Sequence, residues 1–115
     1  MVSKFQSLKK NREFQKVYRQ GGSKANRTFV MFVCENATDD NRIGISVSKK
    51  VGNSVVRHRV ARIVREVMRL HWDDVKKGYD IVVIARKPAI DSGYDKFESA
   101  LLHLLKLHHL MNKED

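Results

Sequence analysis

The chain has 115 residues, 23 of them Lys or Arg against 13 Asp or Glu, for a formal net charge of +10. That length suits one domain, residues 1–115, able to bury about two-thirds of its unfolded surface without covalent staples. The single cysteine, Cys34, excludes a disulfide framework and predicts a reducing compartment. Met1 to Gln20 is polar and basic, so no secretory signal is expected. The longest apolar runs, Phe29 to Cys34 and Ile81 to Ala85, are strand-sized and far too short to span a bilayer. The expected location is cytoplasmic, with no membrane partner.

The charge is clustered. Residues 1–27 carry eight bases and one acid, and residues 49–69 carry seven bases and one acid, whereas the other 67 residues carry eight bases and eleven acids. Solubility does not require such blocks, since the rest of the chain manages without them. A polyanion partner does.

In chain order, the first predicted helix runs from about Asn11 to Gln20, with Asn11 as N-cap, Phe14, Val17 and Tyr18 on one face, and Gly21-Gly22 as the stop. Ala25 to Cys34 reads as one strand, or as two with a kink near Arg27. After the polar loop Glu35 to Asn41, Arg42 to Ser48 alternates cleanly, and the two segments are expected to pair as an antiparallel hairpin. Lys49 to Asn53 is a turn, and Asn53 or Ser54 caps a long helix that ends near Trp72. Asp80 to Arg86 is a strand whose continuous run Ile81-Val82-Val83-Ile84 suits burial on both faces. Lys87-Pro88 ends it. A last helix, about Tyr94 to Leu110, aligns Phe97, Leu101, Leu104, Leu105 and His108. The expected fold is α+β, a two-layer sandwich of about four strands in a mixed sheet with three helices, in the order α-β-β-β-α-β-α.

The second helix carries the sharpest signal. At 100° per residue, Val56, Val60, Ile63, Val67 and Leu70 fall within about 40° of one direction, with Val64 at the border of this buried stripe. His58, Arg62, Arg65 and Arg69 fall opposite, and Arg57 and Arg59 flank the edges. Like charges three and four residues apart destabilise a helix by a few tenths of a kcal/mol per pair, and only Glu66 relieves them. An ordinary solvated face intersperses acids. Their absence points to a partner that supplies the negative charge, and the planar guanidinium suits phosphate oxygens and bases. Lys49 and Lys50 lie beside the helix start, where Gly52 permits close approach and the free amides after Asn53 attract anions.

Protein-borne catalysis finds little support. Asp39-Asp40 and Asp73-Asp74 do not converge in pattern on a metal, the five histidines lack zinc spacing, and no nucleophile is paired with a base. Phe14, Tyr18, Phe29 and Phe32 have two readings: core, or an aromatic platform in a positive groove that holds single strands. The residues alone do not choose between them.

The run Lys49-Lys50-Val51-Gly52-Asn53-Ser54-Val55-Val56-Arg57-His58-Arg59-Val60-Ala61-Arg62-Ile63-Val64-Arg65 resembles the signature of the protein subunit of bacterial ribonuclease P, approximately K-x-G-N-A-V-x-R-N-R-x-K-R-x-x-R. Leu8 to Tyr18, Ala25 to Phe32 and Tyr79 to Pro88 resemble that family in the same order and spacing. The chain departs from it at His58, where Asn is usual, and at Ala61, where Lys is usual.

The resemblance implies an RNA-binding subunit of a ribonucleoprotein endoribonuclease that removes the 5′ leader from precursor tRNA. Chemistry would be carried by the RNA subunit, so no protein catalytic residue and no tightly held metal are expected. Mg²⁺ would serve the holoenzyme mainly through RNA, and no obligate protein partner is expected. It implies a ribosomal-protein-like fold with a left-handed βαβ crossover, against the usual hand. It implies contact with the catalytic RNA near the signature helix, so the ridge and helix start make Lys49, Lys50, Asn53, Arg57, His58, Arg59, Arg62, Arg65 and Arg69 the expected RNA-binding residues. It assigns a leader cleft to Phe14, Tyr18 and Phe32, with Arg12, Lys16 and Arg27 nearby for phosphates. The rival readings are a ribosomal or other structural RNA-binding protein, a double-stranded DNA binder, and a stand-alone nuclease.

Overall fold

The apolar run of Ile81 to Ile84 lies at the centre of a five-stranded sheet in a computed structural model that describes residues 6–112. Residues 1–5 and 113–115 lie outside it, and with them part of the segment expected to carry no secretory signal. The strands are β1 (Gln6–Ser7), β2 (Gly22–Ala25), β3 (Phe29–Glu35), β4 (Arg42–Ser46) and β5 (Tyr79–Ala85), in the spatial order β1-β4-β5-β3-β2. β5 pairs antiparallel with β3, Val83 opposite Met31, and parallel with β4, Val83 opposite Ile45.

The mixed sheet is as expected, with five strands rather than about four. The expected hairpin between the third segment and Arg42–Ser46 does not form. A strand whose Ile81, Val82 and Val83 are all buried needs a neighbour on each edge, and β5 takes its place between β3 and β4. The kinked reading of Ala25 to Cys34 resolves into β2 and β3, with β2 starting inside the glycine pair; all four of its residues are exposed, so it has no apolar alternation to display. β1 is two residues long and parallel to β4.

The three helices are α1 (Asn11–Gln20), α2 (Ser54–His71) and α3 (Tyr94–Leu107), with short 3-10 turns at Trp72–Asp74 and Lys87–Asp91. Lys10, not Asn11, is the N-cap of α1, and Glu13 Oε1 accepts from the backbone N–H of both Lys9 and Lys10 at 2.9 Å. The parallel pair β4 and β5 is joined through α2, giving the βαβ crossover.

The register sorts side chains between two cores. Ile43, Ile81 and Val33 share a row facing α2 and α3, which bury Val60, Val64, Val67, Met68, Phe97, Leu101, Leu104 and Leu105 there. One step along, Gly44, Val82 and Phe32 face the other side, where Val17 of α1 packs with Leu8, Cys34 and Val82. Helices therefore cover both faces rather than forming a single helical layer, because Val82 needs cover as much as Val83 does.

α3 buries Phe97, Leu101, Leu104 and Leu105 as expected and stops at Leu107, with His108 as C-cap. His108 Nε2 lies 2.9 Å from the Met31 carbonyl oxygen. Burial holds this imidazole below its ordinary titration range, against the opposing pull of that carbonyl. The unfolded chain therefore binds more protons between the folded value and the ordinary 6.5, and stability falls as pH drops through about 6.5. Thermal melts at stepped pH should show that fall in the wild type and a flatter profile in His108→Gln, which keeps a donor for Met31. Identical profiles would remove His108 from the pH dependence.

Candidate nucleic-acid interface

α2 begins where Val51 is buried and Gly52 turns the chain. A Cβ on Gly52 would lie 2.8 Å from the Val56 side chain, so the turn packs this close only with glycine. Asn53 is the N-cap, its Oδ1 accepting from the Val56 N–H at 3.0 Å, and the first turn holds no acid. The other amides of that turn and the exposed Lys49 and Lys50 form one positive corner.

The buried arc of α2 centres on Val60, Val64, Val67 and Met68. Val56 and Ile63 are partly buried at its edge, but Leu70, expected inside, is 59% exposed. Leu70 lies about 100° round the helix from the centre of that arc, and Met68, Trp72 and Val75 fill the core at that end. The outer face is as expected: His58, Arg62, Arg65 and Arg69 are all exposed. Arg69 pairs with Glu66, whereas Arg62 and Arg65 have no ion pair among the described residues. Arg57 and Arg59 are half-buried and partly structural. Arg59 Nη2 donates to the Ile90 carbonyl at 2.9 Å, and Arg57 Nε is buried without a partner among the described residues. Beside the ridge, a hollow of about 560 Å³ is lined by Ser54, Val55, His58, Arg59 and Arg62.

On the opposite face of the sheet, a groove of about 510 Å³ runs between α1 and β4, lined by Lys9, Asn11, Phe14, Gln15, Tyr18, Ile45, Ser46 and Val47. It opens there because β1 covers β4 only at Arg42 and Ile43, leaving the rest of that strand as a free edge. Phe14 lies over Gly44: a Cβ at that position would sit 2.7 Å from its ring. Tyr18 meets Phe32 edge-on, with ring centroids 5.0 Å apart and planes at 71°. Burial raises the Tyr18 hydroxyl above its ordinary range, and a hydrogen bond with Ser46 opposes this.

Of the three aromatics of the expected cleft, each half-buried, Phe14 and Tyr18 line the groove, and Phe32 backs Tyr18 without lining it. The three cations lie elsewhere. By the 100° spacing Arg12 and Lys16 fall on the flank of α1 opposite to Phe14 and Tyr18, both exposed and neither lining the groove. Arg27 sits in the β2–β3 turn and lines a separate depression of about 470 Å³ with Lys87 and Lys96. The groove takes its cation from Lys9 and its polar rim from Asn11, Gln15 and Ser46, none of them among the expected cleft residues. The available signal was the helix wheel, where Asn11 and Gln15 flank Phe14 and Tyr18.

The acids are placed for structure. Glu13 and Asp80 both bind Arg42, at 2.8 and 2.7 Å, and hydrogen bonds from Lys10, then Lys9, then Arg42 hold the Glu13 carboxyl below its ordinary range. Among the described residues no three His, Cys, Asp or Glu side chains are grouped to hold a metal ion, and no helix is long and apolar enough to cross a membrane.

An arginine ridge on one side of an α+β sheet and an aromatic groove on the other define a nucleic-acid-binding protein. Residues 2–109 match the family model described as Ribonuclease P. The "Ribonuclease P protein component" of Lachnoclostridium phytofermentans is 48% identical over 110 residues, covering 96% of this chain and 95% of the relative. That of Clostridium botulinum strain Langeland is 52% identical over 100 residues, 86% of this chain and 90% of the relative. The structure is similar to those of RNase P proteins from Staphylococcus aureus, at TM-score 0.87 and 43% identity over 95% of this chain and 100% of that one, and from Thermotoga maritima, at 0.82 and 34% over 89% and 96%. The chain belongs to the ribonuclease P protein-component family.

Changing both Arg62 and Arg65 to Ala should weaken binding to structured RNA and flatten its salt dependence, by roughly 0.7–0.9 in log–log slope for each phosphate no longer neutralised. Circular dichroism and the melting temperature should hardly move, because both side chains are exposed and neither forms an ion pair among the described residues. An unfolded double variant would show instead that the ridge is structural.

Proposed function

We propose that this chain, as a single RNA-binding domain over residues 1–115, is the protein subunit of a ribonuclease P ribonucleoprotein that removes the 5′ leader of precursor tRNA. In this reading the α2 ridge binds the catalytic RNA and the groove beside α1 holds the leader. The observation that carries it is the exposed pair Arg62 and Arg65 on a helix whose inner face alone accounts for its packing. Membership of the family supports an RNA partner for that ridge. The two surfaces lie on opposite faces of the sheet, so an RNA can occupy each without displacing the other. A cytoplasmic location and independence from an obligate protein partner belong to the same proposal.

The groove suits a leader because leaders differ in sequence while every base has a π-face. Stacking on Tyr18 and Phe14 asks only for an unpaired base, and Lys9 offers a cation for the backbone. Hydrolysis is assigned to the RNA subunit. The best-anchored acids of this chain, Glu13 and Asp80, are already bound to Arg42, and the described residues bring no carboxylate set together for a catalytic metal. Mg²⁺ would act through RNA and substrate phosphates, with no tight site on the protein.

Cleavage of precursor tRNA should be compared for the protein alone, the RNA subunit alone, and both together at low Mg²⁺. Only the combination should cut efficiently. Cleavage by the protein alone that persists through several purification steps would overturn the assignment of chemistry to RNA. No gain from adding the protein would favour a structural RNA-binding protein without a catalytic partner. Within the reconstituted enzyme, Tyr18→Ala should weaken precursor binding about tenfold, as expected when a stacking ring is lost, and leave mature tRNA binding unchanged. Equal losses for both RNAs would return Tyr18 to a purely structural role.

A further inference from the structure

The groove has one wall on a helix and the other on a strand, so its width depends on what fixes α1 to the sheet. Apolar packing is provided by Val17, buried against Val82 and Leu8, and such packing is non-directional. The directional tie is Arg42, at the start of β4. Its Nε and Nη2 donate to Asp80 Oδ1 and Oδ2 at 2.9 and 2.7 Å, a bidentate fork, and its Nη1 donates to Glu13 Oε2 at 2.8 Å. Asp80 is 1% exposed and also accepts from Asn36 Nδ2 at 2.9 Å, so that end of the fork is fixed in the sheet. Glu13 closes the other end, because its second oxygen holds the two backbone N–H groups at the start of α1.

We propose that Arg42 is the positioning residue of the single-strand groove: by clamping Glu13 of α1 to Asp80 of β5, it sets the distance at which Phe14 and Tyr18 face the free edge of β4. This rests on the reading of the groove as the leader site. Phe14 follows Glu13 directly, and Tyr18 lies just over one helical turn further on. A shift of the clamp therefore moves both rings. Arg42 itself touches no groove ligand, since the guanidinium is occupied by the two carboxylates. Lysine cannot replace it: an ammonium provides a charge but not the planar fork that fits Asp80 and Glu13 together.

The test uses reconstituted holoenzyme with Glu13→Gln, Arg42→Lys, Asn36→Ala and Tyr18→Ala, measuring affinity for precursor and for mature tRNA and a melting curve for each protein. Glu13→Gln retains an acceptor for the helix start and removes the charge that holds Arg42. It and Arg42→Lys should lower precursor affinity about threefold to tenfold, less than or similar to removing a stacking ring, with mature tRNA unaffected. Asn36→Ala removes one hydrogen bond to Asp80 but leaves the Arg42 fork and Glu13 in place, so it should lower the melting temperature and reduce precursor affinity less than Glu13→Gln does. Should Arg42→Lys fail to fold, Glu13→Gln decides alone. Wild-type precursor affinity in Glu13→Gln beside a loss in Tyr18→Ala would overturn the clamp and leave the groove standing. A loss in Asn36→Ala as large as in Glu13→Gln, or equal losses for both RNAs in Glu13→Gln, would also overturn it. No loss in Tyr18→Ala would remove the leader groove itself, and the clamp's role with it.

Discussion

β5 is buried on both faces and paired on both edges, and the rest of the molecule is arranged around that condition. Full burial of a Val or Ile side chain is worth about 1.5–3 kcal/mol, and Ile81, Val82 and Val83 are all fully buried in succession. Because their side chains alternate, no single layer of helices can cover them. α1 closes one face and α2 with α3 the other. That division also separates the two candidate RNA surfaces, since the helix that presents arginines and the helix that presents aromatics cannot lie on the same side. At its start the strand carries Asp80, equally buried but charged, and removing a partner from such a group typically costs about 3–5 kcal/mol. Arg42 is therefore tied into the same central strand that fixes the layers.

Magnitudes explain how α2 tolerates its outer face. Repulsion between neighbouring arginines amounts to a few tenths of a kcal/mol per pair, and Glu66 offsets it only at Arg69. Each of Val60, Val64 and Val67 gains several times that by burial. The inner face thus holds the helix, and the outer face is free to be shaped by recognition. The arginines are not equivalent, however. Arg59 secures the 3-10 turn after β5 through Ile90, and Arg57 has its Nε inside the protein, so these two combine a structural role with any role toward RNA. Arg62 and Arg65 have no such second duty and are free for recognition.

What was legible in the sequence was whatever local periodicity decides. Helix α2 and its cap at Asn53, the ridge of His58, Arg62, Arg65 and Arg69, the inner face of α3 and the central burial of β5 all follow from spacing and turn chemistry. What was not legible was set by partners distant in the chain. The hairpin expectation treated sequence neighbours as spatial neighbours, and β5, more than thirty residues later, intervened. Leu70 and Met68 are both apolar at the margin of one stripe, and the one that is buried, Met68, fills the core with Trp72 and Val75. β2 has no apolar pattern because it lies at the sheet edge with both faces exposed. At the groove, the three expected cations are dispersed: helix geometry puts Arg12 and Lys16 on the flank of α1 opposite to Phe14 and Tyr18, and Arg27 is held in the β2–β3 turn.

Phe29 is core alone, fully buried against Phe97, but at Phe14 and Tyr18 the two readings, core or platform, are compatible, and that has a consequence for binding. Phe14 rests on Gly44 and Tyr18 rests edge-on against Phe32, so each ring is held by the protein while part of it still lines the groove. A free surface ring would have to be ordered when a base stacks on it, and immobilising a side chain at an interface costs about 0.5–1.5 kcal/mol. Rings already ordered by folding avoid that cost, so more of the stacking energy appears as affinity. The same arrangement couples folding and binding unequally at the two positions. Phe14 fills the space that Gly44 leaves open over the sheet, so truncating it removes packing as well as a stacking surface. Tyr18 lines the groove beside Ser46 while its ring rests on Phe32. A half-buried aromatic therefore serves both ends: the fold that must cover Val82 with α1 also fixes the rings where a single strand can lie.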